Sequence, residues 1–306
     1  MVERALAKHV YPVIGALPIG VIRTTQVQAM VTTWGTELAP STVRVAYGYV
    51  SSVFAAAIRD KVLASSPCDG VRLPPPRRKQ VEIPALSALD ALREVLPERL
   101  RAVVDLAVGS GLRQSEIFGL EVDGLDFLRV RAVDVHQQLI TLANVAPYLG
   151  PVKTAESARV VPLAQVTLDA LAAHLAAFPA RTVTIMDRTE EHKPLQREAR
   201  LVFTLDSGRP VSRDYWSHLW RPAARAAGLP PRTGLHALRH LYASLLIRHG
   251  ESVKTVQKRL GHSSGAITLD TYAHIWPDAD DRTREAVGRA LSPDPADAVR
   301  TDGGSS

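Results

Sequence analysis

Cysteine is nearly absent: Cys68 stands alone in 306 residues. An internal disulfide is therefore impossible and a cysteine-based zinc site is excluded. Aromatic residues make up only 5% of the chain, so a core has to be assembled mainly from Ala, Leu and Val. No apolar run approaches the ~18 residues of a membrane span and no signal peptide opens the sequence, which makes the cytoplasm the default compartment and a membrane partner unexpected. What is present is an ordinary globular balance, 46% hydrophobic and 22% charged, enough for about two domains at a common ~100–200 residues each.

Charge is unevenly placed. The net charge is +6, and residues 1–80, with 10 Lys and Arg against 4 Asp and Glu, hold all of it. Residues 210–262 carry 9 basic and 2 acidic side chains, and residues 263–306 carry 4 basic and 8 acidic ones. Two basic regions separated by neutral sequence fit a long polyanion gripped at two places, or solvated helix faces.

Apolar spacing predicts a strong helix over 42–61, from Val43, Ala46, Val50, Phe54 and Ala57, with Ser41 as its N-cap. Shorter helices are expected at 25–38 and 3–9. The run Pro74-Pro75-Pro76-Arg77-Arg78-Lys79 cannot continue a helix and has no apolar partner, so a stiff linker and the domain boundary belong there. Beyond it the pattern predicts helices at 87–96, 98–108, 114–120 and 168–178. Strands are expected at 131–139, 149–153 and 159–162, forming a small antiparallel sheet. Residues 181–200 read as a charged loop, 212–291 as mostly helical, and 292–306 as a disordered tail.

Three groups carry possible chemistry. Gly109-Ser110-Gly111 fails as a dinucleotide fingerprint, because a helix rather than a strand precedes it and Gln114 stands where a third glycine is required. It reads instead as a turn presenting Arg113. His236 and His240, four apart, lack the glutamate of a zinc-peptidase helix, since Ala237 follows the first histidine, and no metal is expected. His236 and Arg239 share a helix face, setting an imidazole beside a guanidinium, a pair suited to a phosphodiester.

Taken in order, five segments form one pattern: Gly109-Ser110-Gly111-Leu112-Arg113-Gln114-Ser115-Glu116-Ile117, Lys153-Thr154, His236-Ala237-Leu238-Arg239-His240, Leu260-Gly261-His262 and Thr271-Tyr272-Ala273-His274. The set resembles the tyrosine recombinases, the phage-integrase family, over roughly residues 83–291. Tyr11-Pro12-x-x-Gly15 and the 42–61 helix are similar to that family's helical core-binding domain. The resemblance implies a mainly α fold with a small antiparallel β-sheet. A helical core-binding (SAM-like) DNA-binding domain at 1–73 would join, through a linker at 74–82, a mixed α+β catalytic domain at 83–291. Larger members begin with an additional arm-site domain, which leaves open a truncated N-terminus.

By motif, the resemblance makes Arg113 and Arg239 the phosphate-clamping arginines, Lys153 the hairpin lysine, His236 and His262 the two histidines, Tyr272 the nucleophile, and Glu116 a support for Arg113. Lys193 is a rival to Lys153, and Tyr242 reads as core. Arg44, Arg77, Arg78 and Lys79 are candidate DNA contacts, the last three in a strap along a phosphate backbone or in a solvated spacer. The implied activity is site-specific recombination through a 3′-phosphotyrosine without ATP, metal or other cofactor. Double-stranded attachment-site DNA is the implied partner and a homotetramer the synaptic assembly, as for an integrase of a mobile element. A type IB topoisomerase-like enzyme and a non-catalytic DNA-binding regulator remain open.

Overall fold

Two amphipathic helices dominate the first eighty residues, and the computed structural model shows how they pair. It describes residues 2–75, 81–190, 192–276, 284, 287, 288 and 291. Arg77, Arg78, Lys79 and the 292–306 tail lie outside the described residues. The chain divides into two compact units, residues 1–79 and 80–306.

In the first unit, α1 (Val2–His9) and α2 (Tyr11–Ile14) lead into α3 (Thr24–Glu37) and α4 (Pro40–Arg59). Val27, Met30, Val31 and Trp34 of α3 meet Val43, Ala46, Val50 and Phe54 of α4, with Val10, Ile14 and Cys68 closing the cluster. The helix predicted at 42–61 begins two residues earlier. Ala39 is its N-cap and Pro40 occupies the first position, where a missing N–H costs nothing. Polar bonds tie the segment after α4 back onto the pair: the Tyr47 hydroxyl donates to the Cys68 carbonyl (2.7 Å), and the Gln28 side chain brackets the Arg72 backbone. Arg44 is exposed but donates to the Pro74 carbonyl at 3.0 Å, so the structure gives it the start of the linker as a partner.

The second unit opens with α5 (Ala88–Val95), α6 (Glu98–Ser110) and α7 (Gln114–Phe118). Strands β1 (Leu125–Asp126), β2 (Ala132–Val135), β3 (Gln137–Ile140), β4 (Tyr148–Pro151) and β5 (Arg159–Pro162) follow, then α8 (Gln165–Ala177), β6 (Arg181–Asp187) and β7 (Leu195–Leu201). Helices α9 (Arg213–Ala226), α10 (His236–Arg248), α11 (Val253–Leu260) and α12 (Gly265–Tyr272) complete the described elements. The core is built around α6 and α10, with Trp216 and Trp220 of α9 and Phe118 of α7 in edge and tilted ring contacts.

The mixed α+β class agrees with the sequence; the strands depart from it in two ways. The single strand expected at 131–139 breaks at His136, and its halves serve different sheets, ordered β1-β2-β5 and β3-β4-β6-β7. The second sheet is mixed, since β4 and β6 run parallel. The segment 181–200, read as a loop, is a hairpin of two seven-residue strands. Only Ile185, Asp187, Ala199 and Leu201 of those strands are buried, so a thin apolar alternation lay hidden under a largely exposed, charged surface.

Candidate active site

Two glycines end two helices and aim their carbonyls at one place. Gly111 closes α6 and Gly261 closes α11, both left-handed (φ +65° and +62°). A Cβ at Gly111 would sit 2.4 Å from the Tyr242 ring, so glycine is required there by backbone and by space. Tyr242 is buried over this turn as a core residue.

The last carbonyls of a helix have no intrahelical partner and carry partial negative charge. Here arginines take them. Arg239 on α10 is 1% exposed and donates through its Nη atoms to the carbonyls of Gly111 (2.7 Å) and Leu260 (2.6 Å). Its Nε is buried with no hydrogen-bond partner among the described residues. Burial first, and the charge of Arg113 second, push the Arg239 guanidinium down to about 9, so it remains a cation at neutral pH.

Arg113 precedes α7 and donates to Glu116 Oε1 (2.6 Å), Ser157 Oγ (3.2 Å) and the Gly261 carbonyl (3.1 Å). Glu116 also accepts from the Arg113 backbone N–H (2.9 Å) and from Arg159 Nη2 (2.8 Å). Burial alone would raise the Glu116 carboxyl. The hydrogen bond and charge of Arg159, with the charge of Arg113, outweigh that and hold it below its ordinary range. Arg159, 7% exposed, spends its other donors on the carbonyls of Ser157 and Arg259, both at 2.7 Å.

Tyr272, at the end of α12, is 1% exposed. Its hydroxyl shares a 2.7 Å hydrogen bond with Nδ1 of His240, and its ring is stacked parallel to that of His262. His262 Nδ1 is bonded to Thr268 Oγ1 (2.9 Å), and the His236 and His240 rings meet edge to face. Burial raises the Tyr272 phenol to about 12. Loss of water around the rings and the nearby cations lower His240 and His262 to about 4. His236 presents its ring to solvent, yet packing on its inner side, with His240, Arg239 and Arg113 close by, holds it at about 3. At neutral pH the centre therefore holds guanidiniums, neutral imidazoles and a neutral phenol.

Of the residues singled out by sequence, Arg113, Glu116, His236, Arg239, His262 and Tyr272 thus form one cluster. Lys153 is exposed on the turn after β4, and that turn is tied to the cluster by Thr154 Oγ1 to Ser157 Oγ (3.1 Å), the hydroxyl that also takes Arg113. Lys193 sits on the β6–β7 loop, 3.8 Å from Glu190, with no contact to the cluster among the described residues. An open groove of about 400 Å³ borders the site, lined in part by Arg113, Gln114, Ser115, Gln138, Arg213 and His236. Among the described residues, no group of three or more His, Cys, Asp and Glu side chains is placed to hold a metal ion, and no helix is long and apolar enough to cross a membrane.

Sequence reasoning missed three contributors: Arg159, Ser157 and the contact of His240 with the phenol. Arg159 left a trace, since it falls in phase with Val161 on the inward face of β5, where an unpaired arginine is not tolerated.

The comparisons with known proteins agree on the kind of molecule. Residues 79–278 match the phage integrase family. The chain is 29% identical over 265 residues to a tyrosine recombinase XerC-like protein of Caldanaerobacter subterraneus subsp. tengcongensis, covering 77% of this chain and 63% of that one. It is 25% identical over 238 residues to the ICEBs1 integrase of Bacillus subtilis (74% and 60%). It spans less than two thirds of the length of these relatives. Among solved structures, the Tn1549 transposon integrase in complex with transposon right-end DNA superposes with a TM-score of 0.78 at 20% identity, covering 95% of this chain and 92% of that one. A lambda integrase dimer bound to a core site gives 0.61 at 17% identity, covering 96% and 72%. With its family match covering well over half of its length, the chain belongs to the phage integrase family.

Proposed function

We propose that this protein is a site-specific DNA recombinase that cuts and rejoins DNA through a 3′-phosphotyrosine on Tyr272. The observation that carries this reading is the Tyr272 hydroxyl held 2.7 Å from His240, on the same helix that sets Arg239 and His236 beside Arg113. A phenol, two guanidiniums and imidazoles at one point are the inventory for in-line attack on a phosphodiester.

In the first step the Tyr272 oxygen bonds to phosphorus, the bond to the 5′ oxygen breaks, and that oxygen leaves with a proton. Charge building on the non-bridging oxygens meets Arg113 and Arg239; a single donor of this kind is worth ~10²–10³ in rate. The Nε of Arg239, partnerless among the described residues, is a donor that a phosphate oxygen would satisfy. With its other ring nitrogen protonated, His240 accepts the phenol proton. Lys153 supplies the proton to the leaving oxygen, a role consistent with its exposed turn beside Ser157. The resting phenol is inert: ionising it at pH 7 with a value of about 12 costs roughly 7 kcal/mol at 1.36 kcal/mol per unit. A bound phosphate, and movement of Tyr272 out of its burial, must precede attack.

Phosphotyrosine keeps the energy of the broken ester, so a second 5′ hydroxyl reseals the strand without ATP. Residues 1–73 serve as a core-binding domain in this reading, and four protomers bring two attachment sites together. The test is an adduct that survives denaturant on a nicked DNA substrate, formed by the unaltered chain and undiminished by EDTA. Tyr272→Phe should bind DNA and form none. An adduct persisting in that variant overturns the assignment, and joining of two sites distinguishes recombination from mere relaxation.

A further inference from the structure

Beside the turn that leads into α10 lies a second open groove, of about 650 Å³. One wall is α9, with Ser217, Arg221 and Arg225; the other is the turn from Leu229 to Gly234, which carries Arg232. The walls are bolted together by Trp220, whose indole N–H donates to the Thr233 carbonyl at 2.7 Å. Arg221, Arg225 and Arg232 are all exposed, and none has a side-chain hydrogen bond or ion pair among the described residues. Among the described residues no carboxylate lines this groove; Glu82 lines the adjoining cavity behind Leu229 and Pro230. Arg232 also stands in the left-handed region (φ +69°), a conformation a non-glycine residue holds only when its surroundings impose it.

Position gives this cluster a purpose. Gly234 lines the groove and His236 is two residues on, so the edge of the groove is at most ~7 Å of chain from the active-site imidazole. His236 itself, with Arg213 and Arg113, lines the groove described above. Three unpaired cations beside the turn that leads to His236, and Arg213 and Arg113 in the groove that His236 itself lines, put guanidiniums in two grooves that come within two residues of each other at Gly234 and His236. Successive phosphates of one strand advance ~3.4 Å along a duplex, so a backbone laid across His236 brings its neighbouring phosphates to these arginines.

We propose that Arg221, Arg225 and Arg232 form a phosphate-backbone site for duplex DNA, gripping the strand next to the one phosphate at which chemistry occurs. This deepens, and rests on, the recombinase reading. The site positions DNA without reading bases, because guanidiniums directed at phosphates carry no sequence information.

The experiment uses the full chain carrying Tyr272→Phe, so that binding is read without covalent capture, and a fluorescent ~30-base-pair duplex of arbitrary sequence titrated at several NaCl concentrations. Neutralising the groove with Arg221→Gln, Arg225→Gln and Arg232→Gln together should lower the slope of log K against log salt by about 2–3, at ~0.9 for each phosphate no longer neutralised by the protein. A matched triple, Arg129→Gln, Arg131→Gln and Arg209→Gln, removes the same charge from other exposed positions of this unit and should leave the slope nearly unchanged. An unaltered slope in the groove triple, or an equal fall in both triples, overturns the site. Chemistry is judged separately by the Tyr272 adduct: a chain that binds duplex with the expected slopes but forms no adduct loses the recombinase reading and keeps the groove. A chain that binds no duplex loses both.

Discussion

Arg159 is the most exacting place to perturb this protein. Its side chain is 3% exposed and reaches three elements at once: Glu116 of α7, the Ser157 carbonyl before β5, and the Arg259 carbonyl in the last turn of α11. Arg159→Met keeps the length and apolar stem while removing the charge and the donors. The buried Ser157 carbonyl and the half-buried Arg259 carbonyl then lose a partner, at up to about 1–3 kcal/mol each. Glu116 retains Arg113 but loses its better-buried counter-charge, and breaking a buried pair costs ~3–5 kcal/mol. These overlap, so a net loss of about 3–5 kcal/mol is expected. For a unit of this size that corresponds to roughly 6–20 °C in Tm at 2–4 °C per kcal/mol. Tryptophan fluorescence is a suitable probe, because Trp216, Trp220 and Trp276 lie in the second unit and only Trp34 in the first. Combining Arg159→Met with Glu116→Gln should cost less than the sum of the two single changes by about 1 kcal/mol or more, since the shared ion pair is lost only once. A loss below about 1 kcal/mol for the single change, or strict additivity in the cycle, would refute the view of Arg159 as the joint between these segments.

Two further outcomes follow from the site. His240 and His262 are lowered to about 4 in the folded chain, against an ordinary ~6.5 when unfolded. The unfolded chain therefore binds their protons first as pH falls; this stability is complete above about pH 6.5 and is lost as pH falls through about 4. Tm measured from pH 8 to pH 4 should drop, and drop less steeply for His240→Gln; parallel curves would sink the argument. If Lys153 protonates the leaving oxygen, Lys153→Ala should slow cleavage by ~10²–10⁴ on ordinary DNA. Little of that defect should remain when the bridging oxygen is sulfur, whose thiol needs no acid at pKa ~8.5. Arg113→Ala should not be rescued, and equal failure of both variants on the sulfur substrate would remove Lys153 from the role.

The parts of the site that were legible in the sequence are those whose chemistry and spacing are local. Gly109-Ser110-Gly111 marked the turn that presents Arg113, His236 and Arg239 shared one helix face, and Tyr272 followed the Leu260-Gly261-His262 turn at the length of one short helix. What was not legible depends on contacts across the chain. Arg159 looks ordinary until Glu116, 43 residues away, is placed beside it. His240 looked like a failed metal ligand because its partner, Tyr272, lies 32 residues further on. The β6–β7 hairpin escaped for a different reason: four inward residues in fourteen give a weak alternation, and Arg, Glu and Thr on the outward face read as loop. At 131–139 the apolar pattern was right about extended backbone but could not show that the chain changes sheets at His136, since both halves alternate alike.

The way Arg239 and Arg113 are seated has a consequence for how this centre tolerates sequence drift. Their anchors at Gly111, Leu260 and Gly261 are peptide carbonyls, not carboxylates. A peptide carbonyl is not encoded by any side chain, so the identity of residue 260 can wander among apolar types while the anchor persists. It also adds no full negative charge: among the described residues, Glu116 is the one carboxylate bonded to Arg113 and Arg159, and none is bonded to Arg239. The scaffold thus immobilises Arg239 without neutralising it, and makes Arg113 and Arg159 share a single carboxylate. Inherited variation is confined to what bends the two helix ends, which leaves the glycines and not the anchoring atoms as the fragile part of the design.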